Sequence, residues 1–334
     1  MDSAFERALA EKIAGKTKPP GSLGSIEVLA AQIARIQRTL DPRIESCSLT
    51  IFAADHGIAE NGVSAYPQEV TRQMVGNFLA GGAAANVFAN VFAIPVTIVD
   101  AGIQGSPMEH PALVDARIAS GTANSLHGPA MSTGQYNLAL NRGLEMGEEL
   151  TADVCCFGEM GIGNTSAATL VAAKILGEDA SALTGRGTGL DDAGLNYKRT
   201  VLVQASSRTS EMLEAGESLQ QYGGFEIVMM TGAMIGAARS GRVVLVDGFI
   251  ASVAALCARQ LEPACGAYQI CAHRSAEAAH DRILAALDAR PLLDLDMRLG
   301  EGSGAVLAWP LLRAAAAMLS DMASFEGAGV SGRA

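Results

Sequence analysis

Residues 48–54 (SLTIFAA) form a short apolar run that stops at Asp55, His56 and Gly57. The same arrangement, an apolar run closed by a polar or acidic residue, returns along the chain. It occurs at residues 94–99 before Asp100, 153–158 before Glu159, 243–246 before Asp247, 268–272 before His273, and near residue 293 before Glu301. Such runs, separated by helical stretches, are typical of a parallel sheet covered on both faces. The sequence therefore predicts an open, mostly parallel, six-stranded Rossmann-like α/β sheet with helices on both faces.

The polar residues that close these runs are candidate site residues. Ligands of open parallel sheets bind outside the carboxyl ends of the strands. We therefore expect Asp55, Asp100, Glu159, Asp247, His273 and Glu301 along one rim of the sheet. Each of them taken alone could equally be a helix N-cap. Their repetition in phase favours a shared site.

Composition and charge exclude several classes of protein. The 334 residues are 49% apolar and 18% charged, and the net charge is −11 without a cluster of Lys and Arg. A nucleic-acid partner is therefore not expected. No run of 18 consecutive apolar residues and no basic-then-apolar N-terminus is present, so we predict a cytoplasmic protein without a membrane partner. The six cysteines form no CxxC pair and are expected to be buried free thiols rather than zinc ligands.

Two glycine-rich loops are candidate anion sites. Residues 158–166 (GEMGIGNTS) lie between an apolar run and a helical stretch, where backbone N–H groups can bind a phosphate. A plain tight turn is the alternative. Residues 184–192 (TGRGTGLDD) precede Lys198, and either Arg186 or Lys198 could clamp a phosphate. A solvated loop that leads into a helix explains the same spacing.

A third loop, residues 299–305 (LGEGSGA), holds a single carboxylate among three glycines ahead of a helical stretch. Glu301 is placed there to take a proton, or only to complement the positive end of the helix. The His residues show no HxH, HxxxH or HExxH spacing, so we expect no metal, and no nucleophile motif is present. We interpret His273 as a strand-end residue and His280 as a helix-surface residue. These features together indicate an α/β enzyme with two anion-binding loops and a rim of carboxylates.

Six motifs together carry a resemblance to one family. They are residues 18–24 (KPPGSLG), 55–57 (DHG), 64–74 (SAYPQEVTRQM), 158–165 (GEMGIGNT), 184–189 (TGRGTG) and 299–305 (LGEGSGA). Between about residues 16 and 320 the chain resembles the nicotinate-nucleotide–dimethylbenzimidazole phosphoribosyltransferases of cobalamin lower-loop assembly. The resemblance implies a small helical domain from residues 1–45 and 305–334 beside a catalytic α/β domain of residues 46–304. It also implies a homodimer and no cofactor.

The resemblance further implies a reaction and roles for single residues. The family moves the phosphoribosyl group of nicotinate mononucleotide onto 5,6-dimethylbenzimidazole, giving α-ribazole 5′-phosphate and nicotinate with inversion at C1′. By resemblance Glu301 is the general base and Glu159 is a second catalytic glutamate near the ribose. The residues implied to bind substrate are Gln73, which faces the benzimidazole, Gly161, Lys198 and Ser275, which hold the phosphate, Gly187 and Gly189, which line the same pocket, and Asp247.

Two alternatives remain open at this point. A related phosphoribosyltransferase could act on another acceptor, such as adenine, a plain benzimidazole or a phenol. A catalytically silent nucleotide sensor could share the fold, although such a protein would be expected to lack the carboxylate at position 301.

Overall fold

The computed structural model describes residues 3–331, which are organised around a central sheet. Its six strands are β1 (Cys47–Ala54), β2 (Val96–Gly102), β3 (Leu113–Asp115), β4 (Val154–Met160), β5 (Val243–Val246) and β6 (Gln269–Cys271). The strand order is β3-β2-β1-β4-β5-β6, and each neighbouring pair is parallel. The order reverses between β1 and β4, the place where open α/β sheets bind ligands. The predicted fold class is confirmed.

One predicted strand is wrong. The run near residue 293 lies outside the main sheet: β8 (Leu293–Asp294) pairs only with β7 (His273–Arg274) in a separate two-stranded sheet. The sixth strand of the main sheet is β3, a three-residue edge strand whose side chains are half-buried or exposed. A short edge strand of this kind buries little apolar surface, so it leaves no apolar run in the sequence.

Thirteen α-helices within residues 3–331 surround the sheet. The helices that precede β4 are α1 (Ser3–Ala14), α2 (Ser25–Gln37), α3 (Glu69–Leu79), α4 (Ala84–Val91) and α5 (Thr133–Glu149). Those between β4 and β5 are α6 (Asn164–Leu176), α7 (Ala180–Leu183), α8 (Asp192–Ser206), α9 (Ala215–Tyr222) and α10 (Phe225–Arg239). The last three are α11 (Phe249–Leu261), α12 (His280–Ala286) and α13 (Ser303–Asp321), and short 3₁₀ turns occupy Gly57–Asn61 and Pro263–Tyr268.

Each face of the sheet has its own core, because successive strand side chains point to opposite faces. Phe52 and Phe157 belong to the face covered by α5, α6, α8, α9, α10 and α11. Leu49 and Cys156 belong to the face covered by α1, α2, α3, α4 and α13. Strands buried on both faces carry no polar alternation, which explains why the sequence shows β1, β4 and β5 as continuous apolar runs.

The N- and C-terminal segments lie together. Thr17 donates its backbone N–H to the carbonyl of Ala323 at 3.0 Å, and Phe325 donates to Gly15 at 3.1 Å. Both segments also contribute to the core beneath the sheet. The division into residues 1–45 with 305–334 and residues 46–304 stays a prediction, and its outermost residues, 1–2 and 332–334, lie outside the described chain.

Helix α13 is long and apolar enough to cross a membrane by length and composition alone, with a mean hydropathy of 1.3. Yet 61% of this window is buried inside the protein. It contributes Leu312 and Leu319, both fully buried, to the core on its face of the sheet. A helix buried to this extent is a core helix of the protein.

Helices α5 and α10 cross in backbone contact. A Cβ placed on Gly143 would lie 2.0 Å from the carbonyl oxygen of Met229, and one on Gly147 would lie 2.2 Å from that of Ala233. Reciprocal contacts involve Gly232 and Gly236 of α10. The glycines are therefore required for this approach and not for a special backbone conformation.

We expect Gly147→Ala to lower the free energy of unfolding by about 1 to 3 kcal/mol, because the added methyl forces the two backbones apart. Gly76→Ala is the matched control, since a Cβ at this position in α3 meets nothing within 4 Å. It should raise stability by up to about 1 kcal/mol through helix propensity. Urea unfolding measures both variants, and equal effects would contradict the proposed contact.

Candidate active site

A cavity of about 290 Å³ opens at the carboxyl ends of β4 and β5. Six of the nine residues predicted for the site line it: Glu159, Gly161, Gly187, Asp247, Ser275 and Glu301. Lys198 lies directly behind the wall, because a Cβ on Gly187 would be 3.2 Å from its Nζ. Loops distant in sequence thus converge on one cavity.

The other predicted positions lie outside this wall. Gln73 is an exposed residue of α3, and Gly189 is exposed at a φ of +102°. Asp55 and Asp100 accept backbone hydrogen bonds from Gln104 and Ile103, each at 2.8 Å, and serve the turn after β2. These two carboxylates organise a loop and do not line the cavity.

The backbone places Glu301 at the cavity mouth in a strained turn. Residues 300–302 all have positive φ, at 82°, 62° and 77°. A non-glycine residue in this region is uncommon and costs free energy unless its surroundings hold it there. Gly158 of β4 lets the turn sit on the sheet, since a Cβ on Gly158 would lie 2.4 Å from the carbonyl carbon of Glu301.

Two buried carboxylates hold this turn. Oδ1 of Asp247 accepts a hydrogen bond from the N–H of Ala305 at 2.9 Å, in the first turn of α13. Glu159 accepts from the side-chain amide of Asn164, and the N–H of Glu301 favours its charged form. Asp247 and Glu159 therefore position Glu301, the third acid of the cavity.

Burial raises the pKa of each of these three carboxyl groups. Burial is the main cause of the raised pKa of Glu301, about 6, and Asp247 adds to it while an N–H of Ala85 opposes it. Burial also raises the pKa of Glu159 well above its usual value, helped by the charges of Glu226, Asp247 and Glu301. Burial raises the pKa of Asp247 too, although His273 opposes this. These three carboxyl groups therefore bind a proton more readily than exposed ones do. A carboxylate with a raised pKa can accept a proton near neutral pH.

The cations near the cavity lie around Gly187. Lys198 is buried and donates from Nζ to Oγ1 of Thr165 at 3.0 Å, and burial lowers its pKa to about 8. Arg298 donates to the carbonyl of Gly187 at 3.2 Å. Glu277 lies between them, and burial raises its pKa although Lys198 and Arg298 oppose this. The positive charges of Lys198 and Arg298 can hold a phosphate.

Of the two cations proposed for a phosphate clamp, the structure brings only Lys198 to the cavity. Arg186 is exposed and pairs with Asp192 at the surface. Arg298 lines the cavity but was not identified from the sequence. Its position two residues before Gly300, in a chain poor in cations, is the signal that could have found it.

The interpretation of His280 as a surface residue is wrong. The side chain is fully buried, its Nδ1 accepts the N–H of Ser275 at 2.7 Å, and its Nε2 lies 3.0 Å from Oγ of Ser252. Burial lowers the pKa of His280 to about 4, so the imidazole is neutral. His280 therefore holds the backbone of the loop that carries Ser275. Single-sequence periodicity does not reveal this, because α12 is only seven residues long.

A second buried pair supports the first glycine loop. Nε2 of His56 lies 2.7 Å from Oε1 of Glu226. A Cβ on Gly161 would be 3.2 Å from the same Nε2. The pair thus forms the floor of the loop that contains Gly161. Across residues 3–331, no group of three or more His, Cys, Asp or Glu side chains could hold a metal ion.

The raised pKa of Glu301 yields a prediction on stability. Below about pH 4.5 the carboxyl group is protonated whether the chain is folded or unfolded, and burial costs nothing extra. As the pH rises to 6, only the unfolded chain ionises, so the folded state loses stability, by on the order of 2 kcal/mol above pH 6.

Glu301→Gln removes this cost, because the amide stays neutral at each pH. We expect the variant to be more stable than the wild type at pH 7 and equally stable near pH 4.5, measured by urea unfolding. Glu45→Gln, at an exposed glutamate, is the control and should change stability little at either pH. A Glu301→Gln variant less stable than the wild type at pH 7 would refute the argument.

Known proteins are similar to this chain over nearly its full length. A family model described as phosphoribosyltransferase matches residues 1–330. The nicotinate-nucleotide–dimethylbenzimidazole phosphoribosyltransferase of Aromatoleum aromaticum is 50% identical over 335 residues, which cover 99% of this chain and 97% of that protein. The enzyme of the same name from Dechloromonas aromatica is 49% identical, with the same coverage.

Solved structures show the same likeness. The crystal structure of the enzyme of this name from Thermus thermophilus matches with a TM-score of 0.94 and 40% identity, over 100% of both chains. A second structure from that organism matches with a TM-score of 0.94 and 42% identity, over 99% of both. The chain therefore belongs to the nicotinate-nucleotide–dimethylbenzimidazole phosphoribosyltransferase family.

Proposed function

We propose that the protein transfers the phosphoribosyl group of nicotinate mononucleotide to 5,6-dimethylbenzimidazole. Glu301 is the general base, the products are α-ribazole 5′-phosphate and nicotinate, and the configuration at C1′ inverts. The observation that carries this proposal is the state of Glu301. Only 5% of the surface of this residue is exposed, the pKa of its carboxyl group is about 6, and its Oε2 meets no hydrogen-bond partner among residues 3–331.

The acidic end of the cavity suits the chemistry at C1′. Nicotinate leaves as a pyridine from a cationic nitrogen, so the C–N bond breaks without an acid catalyst. Positive charge then develops on the ribose, and carboxylates close to it stabilise that charge. Glu159 and Asp247 supply such carboxylates beside Glu301.

Glu301 supplies the proton acceptor for the incoming base. One imidazole nitrogen of dimethylbenzimidazole attacks C1′ while the other loses its proton to the Glu301 carboxylate. Attack opposite the departing nicotinate converts the β to the α configuration. Since the nucleophile belongs to the substrate, the reaction needs neither a covalent enzyme intermediate nor a cofactor.

The cationic end suits the 5′-phosphate. Lys198 and Arg298 flank Gly187, and Ser275 lies on the same wall. We assign the phosphate to this region, with the N–H groups near Gly161 and Gly187 as further donors. With the phosphate in this region and Glu301 as the proton acceptor, we propose that C1′ lies between the two.

Other parts of the proposal rest on the resemblance alone. Gln73 and Gly189 are proposed to contact substrate although they lie outside the cavity wall in this chain. We also propose a homodimer located in the cytoplasm, and sedimentation velocity on the 34.4 kDa chain would test the dimer. The exposed side chains of Val87 and Val91 on α4 offer apolar surface for such an interface.

The direct test is incubation of the protein with nicotinate mononucleotide and dimethylbenzimidazole, followed by measurement of released nicotinate and α-ribazole 5′-phosphate. Adenine, benzimidazole and phenol in place of dimethylbenzimidazole distinguish the related transferases. Nucleotide binding without product from any of these acceptors would favour the silent sensor and refute the proposal.

Glu301→Gln should lower kcat by on the order of 10²- to 10⁴-fold, because the amide keeps the shape but cannot accept the proton. Both KM values should change little, as expected for an interaction made in the transition state. Steady-state kinetics measures this, and Glu45→Gln, at an exposed glutamate, is the control. If Glu301→Gln keeps nearly wild-type kcat at neutral pH, Glu301 is not the general base and Glu159 becomes the first candidate.

Lys198→Met should raise the KM for nicotinate mononucleotide by roughly tenfold or more and leave the KM for dimethylbenzimidazole unchanged. In the wild type the nucleotide KM should rise as the pH passes 8, since Lys198 then loses its charge. Lys174→Met is the control, because this buried lysine donates to the carbonyl of Ser210 outside the cavity. Equal nucleotide KM values in the two variants would contradict the phosphate assignment.

A further inference from the structure

His273 contributes a buried imidazole to the wall of the cavity. The residue begins β7, directly beyond β6, and only 1% of its surface is exposed. It lies between Asp247 and Ser275, both on the same wall. Neither the resemblance nor the proposed reaction gives this side chain a role.

One nitrogen of the ring is committed and the other is open. Nδ1 of His273 lies 3.1 Å from the carbonyl oxygen of Arg274, and since a carbonyl only accepts, Nδ1 carries a proton. Nε2 has no hydrogen-bond partner in the part of the chain that the structure describes. A buried polar atom without a partner is unfavourable, so this nitrogen needs one from outside the chain.

Two glycines allow the backbone to approach the ring closely. A Cβ on Gly304 would lie 2.0 Å from Cδ2 of His273, and one on Gly248, which also lines the cavity, would lie 3.0 Å from Nε2. The hydrogen bond from Nδ1 to Arg274 and this close packing fix the orientation of the imidazole. Nε2 is therefore held in one direction before any ligand arrives.

The surroundings select the group that Nε2 can bind. It lies 3.6 Å from Oδ1 of Asp247, at the acidic end that also holds Glu159 and Glu301. A carboxylate this close to Nε2 disfavours an anionic group on the same nitrogen. A sugar hydroxyl both donates and accepts, so it can bond Nε2 with or without a proton on that nitrogen.

We propose that Nε2 of His273 hydrogen-bonds a ribose hydroxyl of the nucleotide substrate. This inference rests on the proposed substrate, nicotinate mononucleotide. His273 thereby fixes the rotation of the ribose between the phosphate end and the carboxylates, and it makes the site selective for ribose over deoxyribose.

The test couples the side chain to the hydroxyl. Binding of nicotinate mononucleotide and of its 2′-deoxy and 3′-deoxy analogues is measured by calorimetry on the wild type and on His273→Asn. The asparagine amide can still donate to Arg274 but has no atom at the position of Nε2. We expect one deoxy analogue to bind the wild type about tenfold more weakly than the nucleotide. In His273→Asn that difference should shrink to about twofold or less.

His273→Gln is the rescue variant, because its amide reaches the position of Nε2 and should restore much of the difference. His127→Asn, at an exposed histidine, should leave the difference as in the wild type. A merely structural role would weaken the nucleotide and both analogues alike and leave the tenfold difference intact, which would overturn the inference. Nicotinate riboside, which lacks the phosphate, adds a further comparison. If the effect of His273→Asn depends on the phosphate and not on a ribose hydroxyl, the inference is also overturned.

The same measurements separate this inference from the proposed function. Failure of nicotinate mononucleotide to bind the wild type would overturn both. Binding and turnover by the wild type without coupling between His273 and either hydroxyl would overturn only the role of His273. If His273→Asn does not fold, the wild type is compared with His273→Gln. We expect His273→Gln to retain much of the difference between the nucleotide and its deoxy analogue, and complete loss of that difference would contradict the assignment.

Discussion

The hydrogen bond from the N–H of Ala305 to Asp247 is the contact on which the active site depends. It ties the first turn of α13 to the carboxyl end of β5. The left-handed turn that precedes α13 presents Glu301, and a glutamate at positive φ holds that conformation only if both of its flanks are fixed. Asp247 fixes the helix side and Glu159 the loop side. The position of Glu301 thus depends on the sheet more than on the loop.

Charge separation within one small cavity follows from this arrangement. Glu159, Asp247 and Glu301 lie together at the turn, where burial raises the pKa of each, while Lys198 and Arg298 lie around Gly187. A nucleotide has the complementary polarity, with a dianionic phosphate at one end and a developing cation at C1′. The orientation of the substrate therefore needs few specific contacts, because the reversed orientation would place the phosphate among carboxylates.

The sequence predicted the features that depend on local pattern, and missed those that depend on tertiary contact. The apolar runs of the sequence correctly predicted five strands of the main sheet, because strands buried on both faces carry such runs. These are β1, β2, β4, β5 and β6. Leu293 is apolar but pairs only with β7, and nothing local distinguishes it from a strand of the main sheet. The glycine loops identified Gly161, Gly187 and Glu301, which line the cavity. Arg298 and the buried His280 were missed, because their roles arise from residues far away in the chain.

The crossing of α5 and α10 has a mechanical consequence. Two backbones that touch directly through glycines leave almost no side-chain rotamers between them, so this layer offers little volume to compress or rearrange. Helix α10 begins beside Gly224 and carries Glu226, which pairs with His56 beneath the Gly161 loop. The floor of the site thus rests on a stiff support. In the glycine-rich segment of residues 184–192, Arg186, Thr188 and Gly189 are exposed, so we expect adjustment to an entering substrate there.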